Sequence, residues 1–379
     1  NLKCSYCSPH LSTAWEDDIK EHGDFKFSNG TGHNNIDYLR KTGMMPLEVA
    51  RKDNPYIEAF WEWFPDTYKD LKVFRMTGGE PLMDKNTFKV LDYVNENPNS
   101  SLDLSITSNM APPTPQLMDR FIAKIQKLEE VRVWEDKTKF NPDSGNYWYV
   151  APACKHFSLY VSVDSVGKQA EYIRDGLDFD TMYENCRRVL SETDGTEISF
   201  INTFSLLSIP RLRGFLDMVL KLREEFGYEN QEDKVIQPPD HNGFKHPEFV
   251  RKKRQRVWFD IPYLRYPDWM TIQLADPIML DTIQQNIDYM KANVLADDLY
   301  GRKYTGFKNY EVLKLERDLA WAKEGLNRSD EELSTDLIRF YDYFTEYDRR
   351  RGLNFLETFP EMTDFWNNAK KETEAKYGN

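Results

Sequence analysis

Two short stretches of the chain carry residue types that are suited to binding a reactive group. Cys4 and Cys7 are separated by two residues, a spacing at which both thiolates can bind one metal centre. Gly78-Gly79-Glu80-Pro81 follows an apolar run. Paired glycines let a backbone approach a ligand closely, and the carboxylate then lies beside that ligand. The two stretches are therefore candidates for one binding site.

The cysteine pair by itself leaves three interpretations open. Thiolates at this spacing bind zinc, hold an iron–sulfur cluster or cycle as a redox dithiol. Structural zinc needs a second pair, but Cys154 and Cys186 are far apart and Cys186 falls on the apolar face of a predicted helix. A thioredoxin-like dithiol follows a strand and opens a helix, which Pro9 and the polar stretch after it fit poorly.

The composition predicts a protein of mixed charge with a sizeable core. Of 379 residues, 40% are hydrophobic and 14% aromatic, and 50 Lys plus Arg against 63 Asp plus Glu give a net charge of −13. Broad nucleic-acid binding needs a basic face, so we do not expect it. No apolar run approaches the ~20 residues of a membrane span, no signal peptide opens the chain, and the four cysteines form no disulfide framework. We therefore expect a cytoplasmic protein without a membrane span.

Strands and amphipathic helices alternate along the first 270 residues. The strand-like segments are 71–76, 102–107, 157–163, 197–204 and 257–264, and the helical ones are 55–68, 85–96, 114–131, 179–192 and 210–226. Residues 10–54 read as polar and irregular. Alternating strands and helices predict a parallel sheet with right-handed crossovers.

Each predicted strand ends in polar residues, as at the carboxyl edge of a barrel. These ends are Thr77-Gly78, Ser108-Asn109, Asp164-Ser165, Asn202-Thr203 and residues 263–265. We therefore predict an α/β fold: a partial (β/α)6 TIM-type barrel of parallel strands over residues 1–270. A mainly helical C-terminal extension over residues 271–379 is expected to follow, with helices at 281–296 and 334–351.

The two motifs together resemble those of radical S-adenosylmethionine (SAM) enzymes. Residues 1–9 resemble the end of the C-x-x-x-C-x-x-C loop of that superfamily, with the aromatic Tyr6 before the last cysteine. Gly78-Gly79-Glu80-Pro81 matches the superfamily's second motif at an appropriate place. In the family pattern the first cysteine would stand one position before Asn1. We therefore expect the chain to begin inside the motif and to lack the first barrel strand.

Further patches resemble the twitch-domain-containing radical SAM proteins of bacteria and phages. They extend from Asn1 to about Trp366 and comprise Trp15, Ser162-Val163-Asp164-Ser165, residues 171–176, Phe179, Asn185, residues 348–355 and Phe359-Pro360-Glu361. The resemblance implies a [4Fe–4S] cluster and SAM as cofactors. Cys4 and Cys7 would be catalytic metal ligands, and reductive cleavage of SAM would give a 5′-deoxyadenosyl radical that takes hydrogen from an unknown substrate, such as a peptide or a small molecule. A reductase or flavodoxin-type protein would supply the electron.

The same resemblance implies how SAM is bound. Gly78, Gly79 and Glu80 would lie near the methionine ammonium, and Arg174 would bind the methionine carboxylate in a fork. Ser162 and Asp164 would meet the ribose hydroxyls. The remaining candidates for cofactor binding are Tyr6, Pro81, Ser108, Asn109, Asn202 and Leu264.

Plainer interpretations compete with these assignments. Glu80 could be the N-cap of a helix, and Arg174 could be a solvated partner of Asp175 or Glu171. The basic run at 251–256 could be a solvated surface or could bind an anionic partner. As an alternative function, the chain could be a SAM-binding protein without a cluster, or a zinc-stapled non-catalytic protein, on the same fold.

Overall fold

Strands and helices alternate through the computed structural model, which describes residues 2–45, 54–141, 145–226, 255–294 and 306–378. The strands are β1 (Lys3–Cys4), β2 (Phe25–Lys26), β3 (Gly32–His33), β4 (Val73–Met76), β5 (Asn99–Ser108), β6 (Arg132–Asn141), β7 (Gly145–Ala151), β8 (Cys154–Ser162), β9 (Arg174–Asp175), β10 (Glu197–Ile201) and β11 (Val257–Asp260). The helices are α1 (Thr13–His22), α2 (Ile36–Lys41), α3 (Pro55–Tyr68), α4 (Lys85–Glu96), α5 (Pro115–Glu129), α6 (Gly167–Ile173), α7 (Phe179–Glu192), α8 (Leu212–Phe226), α9 (Pro277–Ala292), α10 (Asn309–Glu324), α11 (Asp330–Arg351), α12 (Phe355–Thr358) and α13 (Thr363–Tyr377).

The main sheet has five strands in the order β4–β5–β8–β10–β11, and every neighbouring pair is parallel. Each new strand is added beside the previous one, so the sheet winds in a single direction. The connecting helices α4, α5, α7 and α8 each contact the next. The mixed α/β fold and its parallel sheet are thus confirmed, with all five predicted strands present. Closure into part of a barrel stays a prediction.

Helix α5 shows why the periodicity of the sequence predicts these elements. Its apolar residues recur every three or four positions, and the side chains of Phe121, Ile122, Ile125 and Leu128 are all buried. Pro115 opens the helix, where its missing N–H costs nothing. The strands supply the other half of the core, since Leu104 and its apolar neighbours in β5 and β8 are buried.

Several elements depart from the sequence-based expectations. The stretch predicted to be irregular, 10–54, contains helices α1 and α2. The prediction was wrong because α1 carries only two buried apolar side chains, Trp15 and Ile19, among charged residues. The antiparallel hairpin β6–β7 was also not predicted. Its first strand is rich in charged residues over 135–139, so it lacks the alternation that marks a strand.

The helical region after residue 270 packs onto the rest of the molecule. Helix α10 is anchored by Glu311, whose buried carboxylate pairs with Arg223 of α8 at 2.6 Å. Helix α11 contacts β2 and α13, and its aromatic stripe is buried at Phe340, Tyr343, Phe344 and Tyr347. Among the described residues, no helix combines the length and the apolar character that a membrane crossing needs.

Candidate functional site

The ends of four parallel strands bring most of the predicted site residues to one edge of the sheet. Ser108, the last residue of β5, pairs with Val161 of β8, and Ser162 pairs with Ile201 of β10. Parallel strands in this register end side by side. The structure therefore gathers the candidate residues along the carboxyl edge in two neighbouring groups, one around Glu80 and one around Asp164.

The Glu80 carboxylate ties the end of β4 to the end of β5. Its Oε1 accepts hydrogen bonds from the Leu82 amide at 3.0 Å and the Ser108 hydroxyl at 2.8 Å, and its Oε2 accepts one from the Asn109 amide at 2.9 Å. Burial raises the pKa of Glu80, while these three hydrogen bonds oppose that rise. A carboxylate offers about four acceptor positions, so three are filled by the described residues.

Two glycines bring the chain into this turn. Gly78 and Gly79 have φ angles of 90° and 53°, in the left-handed region that residues with a side chain rarely adopt. Glu80 then caps the short 3₁₀ turn Pro81–Met83. The capping role considered as the plainer interpretation of Glu80 is therefore real, and any ligand contact of Glu80 would come in addition to it.

Asp164 and Arg174 form a buried ion pair at the end of β8. Arg174 Nε lies 2.8 Å from Asp164 Oδ2, and Arg174 Nη2 donates to Oδ1 at 3.0 Å. The hydroxyl of Tyr6 joins them: it donates to Asp164 Oδ2 at 2.8 Å and accepts from Arg174 Nη2 at 2.7 Å. Arg174 is thus a buried partner of Asp164, not a solvated partner of Asp175 or Glu171.

This buried network places a positive charge beside the first thiol of the cysteine pair. Arg174 Nη1 lies 3.5 Å from Cys4 Sγ. Burial raises the pKa of Cys4 to about 11, while the guanidinium of Arg174 acts in the opposite direction. Burial also raises the pKa of Cys7, which is half-buried like Cys4. Such thiols need a cation or a metal nearby to become thiolates at neutral pH.

The backbone of residues 3–7, here called the cysteine loop, is fixed from several sides. Its first two residues form β1, which pairs with β9 so that Cys4 lies opposite Arg174. The Cys7 amide donates to the Cys4 carbonyl at 2.9 Å, which closes a turn that carries both thiols. The Trp15 indole donates to the same Cys4 carbonyl at 3.0 Å, and the Asn34 amide group donates to the Cys7 carbonyl at 3.3 Å.

The remaining predicted residues have structural contacts. Asn202 is fully buried and donates to the Asp164 carbonyl at 3.0 Å, so it links the ends of β8 and β10. Leu264 is buried in the core and its amide donates to the Phe204 carbonyl at 2.8 Å. Ser162 is half-buried at the end of β8. Neither Ser162 nor Leu264 shows a feature beyond its position that points to a ligand.

The other two cysteines lie elsewhere. Cys154 begins β8, at the opposite end from Ser162, and Cys186 is buried on α7 against Met182. Within the described part of the chain, no group of three or more His, Cys, Asp or Glu side chains is arranged to hold a metal ion.

A groove of about 760 Å³ lies beside α6. Its lining includes Gln169, Tyr172, Gly176, Arg211 and Leu353. None of the residues predicted to bind the cluster or SAM lines this groove, although Tyr172, Gly176 and Leu353 belong to stretches that carry the resemblance.

Several residues of the site were not among the sequence-based candidates. The Thr203 amide donates to Asp164 Oδ1 at 2.8 Å, and Asn34 holds Cys7 from a left-handed backbone conformation with φ of 63°. Asn34 lies in a run of Asn and Gly that signals a loop, and Asn tolerates this conformation better than most residues. The loop signal could have identified Asn34 as a turn residue, but it could not have predicted the hydrogen bond of Asn34 to the Cys7 carbonyl.

Comparisons of the chain with protein-family models, with curated proteins and with solved structures gave no match. The interpretation of the site therefore depends on its residues and their geometry.

Proposed function

We propose that the chain is a radical SAM enzyme in which Cys4 and Cys7 bind a [4Fe–4S] cluster. One observation carries the proposal: two half-buried thiols on a single turn lie beside the Arg174–Asp164 pair, at the sheet edge that also carries the Gly-Gly-Glu-Pro turn. Ligands of open α/β sheets and barrels bind at this edge.

The residues present fit two of the three thiolate ligands of such a cluster. Cys4 and Cys7 are close through the turn, and thiolates are the ligands that iron–sulfur clusters require. Arg174 adds a positive charge within 3.5 Å of Cys4 Sγ, which offsets part of the negative charge of a thiolate-bound cluster. The proposal needs a third cysteine, which the family pattern would place one position before Asn1.

The Glu80 turn would bind the amino-acid end of SAM. The described residues leave about one acceptor position on the Glu80 carboxylate, on Oε2, which suits an ammonium group. Gly78 and Gly79 have no Cβ, so the backbone there can approach a ligand closely. When bound, the cluster and SAM would supply a 5′-deoxyadenosyl radical for hydrogen abstraction.

The protein's own part would be to orient the cofactors and to exclude water. The buried Tyr6–Asp164–Arg174 network holds the cysteine loop against the end of β8. Arg174 donates to Asp164 and Tyr6 through Nη2 and to Cys4 Sγ through one N–H of Nη1, so the second N–H of Nη1 is its remaining donor for a ligand. We also propose that the five-stranded sheet, which winds in a single direction, curves into part of a TIM-type barrel around this site.

Metal binding by cysteine variants tests the ligand assignment. The protein is reconstituted anaerobically with iron and sulfide, and its iron content and visible absorbance are measured. Cys4→Ala and Cys7→Ala should each lose the cluster absorbance, while Cys154→Ala, a cysteine at the far end of β8, should keep it. Equal iron content in all three variants would contradict the assignment. Zinc in the protein as isolated, with no uptake of iron, would favour a zinc-stapled protein instead.

A further inference from the structure

Helix α11 presents two tyrosine hydroxyls to the backbone of the cysteine loop. The Tyr343 hydroxyl donates to the Ser5 carbonyl at 2.6 Å, and both residues are almost fully buried. The Tyr347 hydroxyl lies 3.4 Å from the Lys3 carbonyl and 3.0 Å from the Tyr172 carbonyl. The residues before and after Cys4 are therefore both contacted by one helix from the far end of the chain.

Ion pairs at the end of α11 reach β9 directly and reach the cysteine loop through Asp18 of α1. Arg351 Nη2 lies 3.4 Å from Asp18 Oδ1, and its Nε lies 3.1 Å from Asp175 Oδ2 in β9. Lys3 of the cysteine loop pairs with both of these carboxylates, at 3.1 and 3.4 Å. Arg350 reaches Asp18 Oδ2 at 3.2 Å. Asp18 and the two arginines are nearly fully buried, so solvent and salt screen these pairs little.

The segment that carries Arg174 is contacted independently. The Tyr172 hydroxyl donates to Asp348 of α11 at 2.7 Å, and the same carboxylate accepts from the Phe355 amide at 2.7 Å. Gln169 of α6 donates to the Thr358 carbonyl at 3.1 Å. Residues 348–358 therefore hold α6 and the residues that lead into Arg174.

From these contacts we propose that α11 is the positioning element of the site: it sets the placement of Cys4 relative to Arg174. The cysteine loop and the Arg174 segment meet directly over the two residue pairs of β1 and β9, the hydrogen bond from the Ser5 amide to the Ile173 carbonyl, and the contacts of Arg174 with Cys4 and Tyr6. A pairing of two residues is too short to be stable by itself, and α11 binds both segments through buried groups. The relevance of this placement to catalysis rests on the proposed function, but the placement itself is measurable without cofactors.

Thiol labelling of tyrosine variants tests the proposal. Tyr343→Phe and Tyr347→Phe each remove one hydroxyl and keep the ring. Tyr341→Phe on the same helix, whose ring packs on Trp366, is the matched control. Iodoacetamide is added to the full chain without metal, and the labelling rates of Cys4, Cys7 and Cys186 are followed by mass spectrometry of their peptides.

Loss of the Tyr343 hydroxyl should raise the labelling rates of Cys4 and Cys7 about tenfold, because the buried Ser5 carbonyl loses its partner and the loop opens more often. Tyr347→Phe should raise them by a smaller factor, and Tyr341→Phe should change neither. Cys186, buried on α7, should keep its rate in all variants. Unchanged rates at Cys4 and Cys7 would overturn the proposal. An equal rise at Cys186 would overturn it too, since α11 would then act only on general stability.

A spectroscopic readout separates this proposal from the proposed function. In protein reconstituted with iron and sulfide, Tyr343→Phe should change the electron paramagnetic resonance spectrum of the reduced cluster, while Tyr341→Phe leaves it as in the parent. If the parent binds no cluster, the proposed function fails, but the labelling rates still decide whether α11 positions the loop.

Discussion

At the scale of single residues, the site is built from polar groups that already satisfy one another. Glu80 binds three groups of its own chain, and Arg174 binds Asp164 and Tyr6. Buried charges are tolerated only when they are paired in this way. A pre-formed network of this kind suits a site whose groups are fixed before a ligand arrives.

Removal of one partner of the Arg174–Asp164 pair is expected to destabilise the folded protein strongly. Arg174→Met should lower the free energy of unfolding by about 3–5 kcal/mol, because Asp164 remains buried without its cation. The double variant Arg174→Met with Asp164→Leu should recover part of the loss. Arg349→Met, which removes an exposed partner of Glu346, should change the free energy of unfolding far less. Urea unfolding of the parent and the three variants measures these differences in the free energy of unfolding. A single-variant cost as small as that of Arg349→Met would show that the pair is not buried in solution.

Glu80 is expected to serve both the fold and SAM binding. Glu80→Gln keeps one acceptor oxygen but places an amide NH₂ against the Ser108 hydroxyl or the Asn109 amide. The free energy of unfolding should therefore fall by about 1–3 kcal/mol, and the affinity for SAM should fall with it. Asp84→Asn is the control, since Asp84 also caps a helix through its carboxylate. It should lower stability without changing SAM affinity. Calorimetric titration measures the affinity of each protein for SAM. An unchanged affinity in Glu80→Gln would show that Glu80 does not bind SAM.

At the scale of elements, α10 carries a carboxylate that is costly to the fold. Asp318 is fully buried, and neither carboxylate oxygen has a hydrogen-bond partner among the described residues. Burial raises its pKa to about 7, with Arg317 and Lys314 opposing the rise and Asp260 adding to it. The side chain is therefore largely protonated below neutral pH.

This raised pKa predicts a pH dependence of stability. The folded state holds the Asp318 proton up to about pH 7, while the unfolded chain releases it near its ordinary pKa of 3.8. Stability should therefore fall as the pH rises from about 4 to about 7, by an amount on the order of a few kcal/mol. In Asp318→Asn this decrease should be reduced, as measured by urea unfolding at several pH values. An unchanged pH profile would show that the carboxylate meets solvent or a partner in solution.

The sequence predicted elements well where one face of a helix or strand is buried. The apolar stripe of α5 and the strand ends at Ser108 and Asp164 were visible because their spacing follows the geometry of helix and strand. The hairpin β6–β7 and helix α1 were missed because their charged residues mask that spacing. Glu80 was identified by the two glycines before it. Its partners Ser108 and Asn109, at the end of β5, lie 28 and 29 residues away, so the sequence pattern did not predict them.

At the scale of the whole molecule, the two ends of the described chain meet at the site. Tyr343 and Ser5 are separated by 338 residues, and no local pattern predicts their hydrogen bond. The sequence marked 348–355 only through a resemblance, and the structure shows that Asp348 and Arg351 contact Tyr172 and Asp175, on either side of Arg174. The boundary predicted at residue 270 stays a prediction, and these contacts join α11, which lies after it, to segments that lie before it.

Formation of 5′-deoxyadenosine tests the central claim most directly. The protein is reconstituted with iron and sulfide, reduced with dithionite and incubated anaerobically with SAM, and the nucleoside is quantified by liquid chromatography and mass spectrometry. Cys154→Ala is the positive control and Cys7→Ala the negative one. The proposed function predicts 5′-deoxyadenosine from the parent and from Cys154→Ala, and none from Cys7→Ala. Cluster-loaded, reduced parent protein that binds SAM but forms no 5′-deoxyadenosine would contradict it.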